Sequence, residues 1–307
     1  MPNNYQKTIR GKVSLAGIGL HTGIKSIINI KPAIENSGIL FKRIDLKENL
    51  VIPANIDYVI DTNRGTTLEQ NGVQIHTVEH VLAALRGLGI DNAIIELTGP
   101  EPPIMDGSAL PFVKVIKKVG MVDQNATQNI LKITEPILFD ESDNDIEINI
   151  LPAEKFKITF FMDYGLPSFG LQYVSIEDVE SEFEKEIAPA RTFGLLSEVA
   201  QLKNNGLIKG GELDNAVIIV DKKVNEDEQN ILSKLFGLNT EFVFNNGEIL
   251  NCGGLHFENE PVRHKVLDLI GDMALLGRPI VGHIIAKRSG HRTNIEFIKK
   301  LRRIVKS

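Results

Sequence analysis

Two apolar segments of this chain carry polar residues that an ordinary buried helix does not contain. Residues 78–88 include Glu79 and His80, and residues 262–276 include His264 and Asp268, four positions apart. Residues at positions i and i+4 lie on one face of a helix. Because burying a histidine or an aspartate without a partner is costly, both segments predict helices whose polar residues meet one another or a bound ligand.

The two segments together predict a single metal site. His264 and Asp268 would face one ion, His80 would supply a third ligand, and Glu79 is placed to handle the proton of a water at that ion. Three protein ligands and an open position are typical of catalytic zinc, whereas structural zinc sites are closed by Cys and His. The single Cys, Cys252, excludes a closed Cys-rich site. A plain His264–Asp268 hydrogen bond across one helical turn explains that pair equally well.

A five-residue motif favours a different set of ligands. His76-Thr-Val-Glu79-His80 matches the H-x-x-E-H pattern of inverted zinc peptidases, in which both histidines bind zinc and the glutamate is the general base. So short a match is a weak signal. A zinc peptidase built on His76 and His80 is therefore an alternative hypothesis.

Composition and charge indicate the class of protein. A chain of 307 residues fits one large or two medium domains, and one Cys suits a reducing compartment. The chain contains neither an apolar signal-peptide segment near residue 20 nor the ~18 apolar residues of a spanning helix. We therefore expect a cytoplasmic protein.

The charge is unevenly distributed. The net charge of −6 argues against a general nucleic-acid binder. Residues 261–307 nevertheless carry 11 Lys and Arg against 3 Asp and Glu, so this segment is basic and the rest of the chain is acidic. A phosphate-bearing substrate or a peripheral contact with an anionic membrane fits the basic segment, and a solvated final helix explains much of it.

The order of predicted elements indicates an α+β fold. Residues 8–31 alternate apolar and polar positions around a Gly-rich turn, which predicts two antiparallel strands rather than a dinucleotide-binding loop. The helix predicted over 78–88 precedes a strand at 92–97, and the helix over 262–276 precedes a strand at 280–286. This echo indicates two similar domains with the site between them.

We place the domain boundaries in a polar stretch. Residues 1–124 form the N-terminal α+β domain, 125–129 the linker and 130–307 the C-terminal α+β domain. Within the second domain, residues 193–221 read as a helix followed by an apolar strand, a small unit that is either packed core or the frame of a channel for an apolar substrate.

Two further residues have the chemistry of a catalytic site. His291 follows a predicted strand on a Gly-containing turn, and its ordinary pKa of ~6.5 suits a general acid or an oxyanion stabiliser. An exposed loop histidine is the simpler interpretation. Asp272 continues the helical face of Asp268 and would orient an imidazolium or pair with Arg278.

Six segments occur in the order found in one family of enzymes. They are Gly17–Gly23, Thr77–His80, Pro103–Ala109, Arg191–Phe193, His264–Asp268 and Ser289–His291. Over essentially its whole length the chain resembles the zinc-dependent UDP-3-O-acyl-N-acetylglucosamine deacetylases of Gram-negative lipid A synthesis. Each segment alone is weak evidence for the family, but six segments in the same order are specific to it.

The resemblance implies a fold, a metal and a substrate. It implies two similar domains, each a sheet layered with helices, with the helices packed between the sheets, the active site at the junction and a small βαβ insert at 193–221. It implies a monomer that binds zinc through His80, His264 and Asp268, although Fe²⁺ suits the same ligands. The implied substrate is a UDP-sugar that carries a fatty acyl chain.

The resemblance also implies roles for the remaining residues. Glu79 would be the general base, and His291 would stabilise charge or protonate the leaving amine. Thr192 would help to hold the oxyanion, Asp272 would orient His291, and Lys265 would contact the substrate. The passage for the acyl chain would be lined by Phe193, Val199, Ile208 and Ile218. A non-enzymatic binding protein for nucleotide-sugar lipids, with a structural metal, is the second alternative.

Overall fold

The computed structural model describes residues 4–48, 50–163, 165, 170–225, 229–230, 232–233, 249–251 and 253–306. Cys252 lies outside these ranges. Within them, no helix is both long enough and apolar enough to cross a membrane.

The first part of the chain forms a five-stranded sheet, a three-stranded sheet, a two-stranded sheet of β1 and β10, and two helices. The strands are β1 (Tyr5–Ile9), β2 (Val13–Ile18), β3 (Lys25–Pro32), β4 (Ile39–Arg43), β5 (Val51–Pro53), β6 (Val59–Asp61), β7 (Thr67–Gln70), β8 (Val73–Ile75), β9 (Ala93–Leu97) and β10 (Met121–Thr127). The helices are α1 (Glu79–Gly87) and α2 (Leu110–Val119).

In the described residues of the second part, a six-stranded sheet and a three-stranded sheet occur together with helices. The strands are β11 (Leu131–Lys132), β12 (Ile137–Glu141), β13 (Ile146–Leu151), β14 (Phe156–Asp163), β15 (Leu171–Ile176), β16 (Phe193–Leu195), β17 (Val217–Ile219), β18 (Ile249–Leu250) and β19 (Ile280–Lys287). The helices are α3 (Val179–Glu182), α4 (Leu196–Asn204), α5 (Glu260–Met273) and α6 (His291–Lys306).

The two large sheets share one topology. The first has the order β2-β3-β9-β4-β5, and the second has β12-β13-β19-β14-β15, with β11 added alongside β19. The central strands are β9, which is the next strand after α1, and β19, which is the next strand after α5. Each pairs antiparallel with one neighbour and parallel with the other. The α+β fold of two similar units predicted from the sequence is confirmed.

Helices occupy the space between the large sheets. Helix α2 packs on β2 of the first sheet, α5 packs on β14 and β15 of the second, and α1 packs against both α2 and α5. Buried apolar residues of the sheets and of these helices form one continuous core. Its burial is the main favourable term in folding, and it fixes α1 and α5 at the centre of the protein.

The segment predicted as a linker has regular structure. Residues 125–127 end strand β10, which pairs antiparallel with β1 at the opposite end of the N-terminal part. Its side chains alternate between exposed and half-buried positions, so polar residues fit one face of a strand as well as they fit an irregular linker. The domain boundaries themselves stay a prediction.

The predicted insert is a small βαβ unit. Strand β16, helix α4 and strand β17 follow one another, and β16 pairs parallel with β17. Strand β18 then adds to β17 in the antiparallel direction. The unit has its own apolar cluster, which includes Leu196, Val199 and Ile218.

A glycine sets the distance between the two central helices. Gly271 of α5 faces the backbone of Glu79 at the start of α1, and a Cβ at this position would overlap the carbonyl oxygen of Glu79. Backbone atoms cannot yield as a flexible side chain can. The close approach of α1 and α5 therefore requires glycine at this position.

We expect Gly271→Ala to lower the free energy of unfolding by about 1–3 kcal/mol or more, because the added methyl forces two packed helices apart. Urea unfolding followed by circular dichroism measures this change. Gly290→Ala is the matched control, since a Cβ there meets no atom within 4 Å. Equal stability of the two variants would contradict the proposed contact.

Candidate metal centre and active site

Three side chains from the two central helices converge on one point. One ligand atom each of His80, His264 and Asp268 lies within 4.8 Å of the others, and all three residues are buried. His264 Nε2 lies 3.3 Å from Asp268 Oδ1, and the same oxygen lies 4.0 Å from His80 Nε2. The spacing and chemistry of this group fit a divalent cation.

The protonation states of the three side chains suit metal binding. Burial is the largest cause that lowers the pKa of both histidines, to about 3 for His80. His264 Nδ1 donates to the carbonyl oxygen of Ala190 at 3.1 Å, which leaves Nε2 as the free lone pair. Burial raises the pKa of Asp268, but Lys265 and the neighbouring histidines outweigh it and lower that pKa well below its ordinary value. All three groups are therefore ready as ligands near neutral pH.

Glu79 is a buried carboxylate beside this group. The pKa of Glu79 is raised to about 7, and burial is the largest cause of this shift. The charge of the nearby His291 opposes the shift only in part. The backbone N–H of Thr66 donates to Oε2 at 3.0 Å. Gly65 allows this approach, because a Cβ there would lie 3.0 Å from Oε1. A carboxylate with such a pKa can accept and release a proton near neutral pH.

His291 is the first residue of α6 and not part of an exposed loop. Its Nδ1 donates to Asp272 Oδ2 at 2.9 Å, and its Nε2 lies 3.7 Å from Glu79 Oε1. Burial by itself lowers the pKa of His291, but Asp272, Glu79 and Asp268 outweigh it and raise the pKa to about 9. His291 is consequently an imidazolium at neutral pH.

Asp272 holds this imidazolium in place. Besides His291, it accepts hydrogen bonds from Asn294 Nδ2 at 2.9 Å and from Thr66 Oγ1 at 2.6 Å. The alternative pairing of Asp272 with Arg278 does not occur among these contacts. The three bonds fix both carboxylate oxygens, so the ring of His291 has a fixed orientation.

The site opens into a cavity of about 470 Å³. Glu79, His80, His264, Asp268 and His291 line it, together with Thr192 and Lys265. The hydroxyl of Thr192 makes no hydrogen bond to the residues that the structure describes. Lys265 Nζ donates to Asp268 Oδ2 at 2.9 Å. It therefore contacts the three candidate metal ligands His80, His264 and Asp268, which we call the metal group.

An apolar cavity adjoins the first one. The four residues predicted to line an acyl passage, Phe193, Val199, Ile208 and Ile218, all lie along it. Leu20, Arg64, Thr192, Phe193 and Gly194 line both cavities. The βαβ insert therefore forms a channel wall next to the metal group.

Sequence reasoning missed several residues that organise the site. Thr66 bonds both Glu79 and Asp272, although nothing in its sequence context indicates this role. Glu101 is buried and accepts hydrogen bonds from His21, Thr22 and Thr77. It thereby ties the Gly-rich turn to the residues just before α1.

Arg191 and Glu260 form a buried ion pair that sequence reasoning also missed. Arg191 Nε and Nη2 donate to the two carboxylate oxygens of Glu260 at 2.8 and 3.1 Å. This pair holds the start of α5 against the segment that carries Ala190 and Thr192. Ala190 in turn accepts the hydrogen bond of His264.

His76 lies apart from the metal group. Its Nδ1 lies 3.1 Å from Thr67 Oγ1, and it precedes α1 instead of sharing a face of that helix. The two histidines of the H-x-x-E-H motif, His76 and His80, therefore do not converge as a pair of metal ligands.

We expect His80→Ala to abolish tight binding of a divalent metal and His76→Ala to leave it nearly unchanged. His80 contributes one of the three converging ligand atoms, whereas His76 has its own partner in Thr67. Metal content after dialysis against a weak chelator, measured by inductively coupled plasma mass spectrometry, tests this difference. Loss of metal from the His76 variant would instead support the peptidase hypothesis.

Comparison with known proteins gives a consistent result. A family model described as "LpxC: UDP-3-O-acyl N-acetylglycosamine deacetylase" matches residues 6–236 and 230–303. The UDP-3-O-acyl-N-acetylglucosamine deacetylase of Thermodesulfovibrio yellowstonii is 42% identical over 97% of this chain and 91% of its own length. That of Myxococcus xanthus is 40% identical over 98% of this chain and 87% of its own length.

Some relatives are longer. The bifunctional enzyme LpxC/FabZ of Chlorobaculum tepidum is 46% identical over 97% of this chain, which spans 64% of that relative. The family is one of metal-dependent enzymes of lipid A biosynthesis that hydrolyse an amide. The chain belongs to the LpxC family of UDP-3-O-acyl-N-acetylglucosamine deacetylases.

Proposed function

We propose that this protein removes the N-acetyl group from a UDP-3-O-(3-hydroxyacyl)-N-acetylglucosamine and releases acetate and the free amine, the committed step of lipid A biosynthesis. The observation that carries the proposal is geometric: a buried carboxylate and an imidazole lie beside the three candidate metal ligands, with His291 Nε2 3.7 Å from Glu79 Oε1. Glu79 has a pKa of about 7 and His291 one of about 9, and both line the same cavity.

His80, His264 and Asp268 would hold the metal, for which Zn²⁺ is our first choice and Fe²⁺ the second. Bound Zn²⁺ supplies Lewis acidity, which lowers the pKa of water to ~7 and polarises a carbonyl oxygen. Lys265 supports this set, because its hydrogen bond to Asp268 keeps that carboxylate charged.

Glu79 acts as the general base. The N–H of Thr66 engages its Oε2, so Oε1 is the oxygen that takes a proton from the attacking water. A pKa near the operating pH makes this carboxylate able both to accept that proton and to release it later. Glu79 is only 2% exposed, so it is shielded from the solvent that would return its pKa to the ordinary value.

His291 acts on the other side of the scissile amide. Its protonated Nε2 faces the cavity, where it stabilises the developing oxyanion and then protonates the leaving amine. Thr192 supplies a hydroxyl donor on the same cavity wall. Removal of one such donor typically costs about 3 kcal/mol of transition-state stabilisation.

The two adjoining cavities suit the two ends of the substrate. Arg288, Arg292 and Lys265 line the polar cavity and provide positive charge for a diphosphate. The apolar cavity behind Phe193 and Ile218 suits a fatty acyl chain. One molecule with both features would place its acetamido group between them, at Glu79.

We extend the proposal to the setting of the enzyme. An acyl-bearing substrate and the basic segment 261–307 suit peripheral contact with an anionic membrane surface in the cytoplasm. A monomeric state stays a prediction, since one chain contributes every residue of the site.

The direct test is release of acetate from UDP-3-O-(3-hydroxyacyl)-N-acetylglucosamine by chelator-stripped protein, before and after Zn²⁺ is restored. We expect activity only after restoration. Glu79→Gln should retain the metal and lose about 10²–10⁴ in kcat, because it cannot accept the proton of the attacking water.

The binding-protein hypothesis predicts a different result in the same assay. No turnover by the metal-loaded wild type across several acyl lengths would contradict the proposed function. Unchanged turnover by Glu79→Gln would refute the role of this residue while leaving the reaction itself in place.

Ile218→Phe tests the assignment of the acyl passage. The larger ring should obstruct the apolar cavity, so kcat/KM should fall about tenfold or more for a myristoyl-length chain. For a butyryl-length chain it should change little, because that chain does not reach the ring. An equal fall for both substrates would show that the variant disturbs the site in general.

A further inference from the structure

A second large cavity lies at the end of α1 remote from the metal group. It measures about 390 Å³ and is lined by both parts of the chain, including residues 36–39, 53–55 and 277–279. Helix α1 carries Glu79 and His80 at its first residues and Arg86 in its last turn. Nine residues at ~1.5 Å per residue separate these ends by roughly 13 Å, so the two cavities are distinct.

Two arginines of this cavity have no hydrogen-bonded partner among the described residues. Arg86 comes from α1, Arg278 follows the left-handed Gly277 at the end of the α5 segment, and both are half-buried. Burial is the largest cause that lowers the pKa of Arg86, and the more distant Asp91 and Glu180 offset it only in part. A guanidinium nevertheless keeps its charge at neutral pH. A partly buried charge without a direct counter-ion is unfavourable and favours an anionic ligand.

The other polar residues of the lining fit an anion as well. Asp91 is the acidic residue of this lining, and its oxygens already accept hydrogen bonds from Lys7 N and Gln128 Nε2. Asn55 and Asn129 also line the cavity, and neither side-chain amide donates a hydrogen bond within the described part of the chain. Two guanidinium groups and two amide groups offer more donors than a carboxylate accepts, and a phosphate group has the oxygens to use them.

Apolar residues also line the cavity, next to the polar Gln6, Asn36, Ser37 and Asn92. Ile39, Pro53 and Pro279 are partly exposed apolar residues of this lining, whereas Leu82, Leu85 and Ile90 have almost no exposed surface. A cavity of this size with an apolar wall and a few converging polar groups is typical of a small-molecule site.

We infer that this cavity is a binding site for a small phosphate-bearing organic molecule, with its phosphate between Arg86 and Arg278 and its apolar body against Ile39, Pro53 and Pro279. The site joins the last turn of α1 to the segment after α5. A ligand there stabilises the folded protein, because it supplies the missing counter-charge for both arginines. The inference is independent of the proposed deacetylase reaction.

Thermal unfolding of the metal-loaded protein in rising concentrations of butyl phosphate tests the site, with inorganic phosphate as the second probe. We expect butyl phosphate to raise Tm and to bind more tightly than phosphate, since only butyl phosphate contacts the apolar wall. Arg86→Gln and Arg278→Gln should each weaken binding about tenfold or more. Without ligand, both variants should melt at or above the wild-type Tm, because each removes an unpaired charge.

Arg303→Gln is the matched control, since Arg303 is exposed and lies outside the cavity. It should bind butyl phosphate as the wild type does. Equal binding by all four proteins would overturn the inference and place the anion elsewhere, such as at Arg288 and Arg292. Absence of any effect on the wild type would overturn it as well.

A second measurement on the wild type does not depend on the variants. Hydrogen exchange with and without butyl phosphate should show protection of residues 82–92 and 274–279. Protection confined to residues 288–293 would assign the ligand to the polar cavity of the metal group and contradict the inference.

Discussion

The contact between α1 and α5 at Gly271 is the constraint on which the rest of the site depends. The absence of a Cβ there lets the backbone of Glu79 approach α5 directly. Glu79 and His80 are neighbours on α1, and His264 and Asp268 lie on α5. The distance between two helix backbones therefore sets whether three ligand atoms can meet. A packed core around both helices holds that distance against the repulsion of buried polar groups.

The pKa values of two buried carboxylates shift in opposite directions because their neighbours differ. Asp268 lies beside Lys265 and three histidines, whose attraction outweighs burial and lowers its pKa. For Glu79, burial outweighs His291 and the N–H of Thr66 and raises the pKa to about 7. This divergence supports the proposed division of roles, with Asp268 as metal ligand and Glu79 as proton carrier. The carboxylates of Asp272, Glu79 and Asp268 repel one another, but together they raise the pKa of His291 and favour its charged form.

Several features could be predicted from particular residues. The i, i+4 spacing of His264 and Asp268 predicted their common face, and the structure brings His80 to them as expected. The echo of helix and strand around residues 80–97 and 264–286 predicted two similar units, and the matching strand orders confirm it. Residues 125–127 were expected in a linker and lie in a strand instead. Their polar alternation is compatible with both, and only the partner strand decides between them.

The sequence by itself determined the kinds of chemistry available to this protein: a set of candidate metal ligands, candidate proton carriers, and the common helix face of His264 and Asp268. Local spacing suffices for this, since a helix places i and i+4 side chains together wherever it lies. Tertiary structure alone decided the role of Thr66, the buried pair of Arg191 with Glu260, and the difference between His76 and His80. These depend on residues far apart in the chain, and no local pattern records which distant groups burial will bring within hydrogen-bonding distance. The pKa values of Glu79 and His291 belong to the same class, because desolvation and neighbouring charge exist only after the two helices have packed.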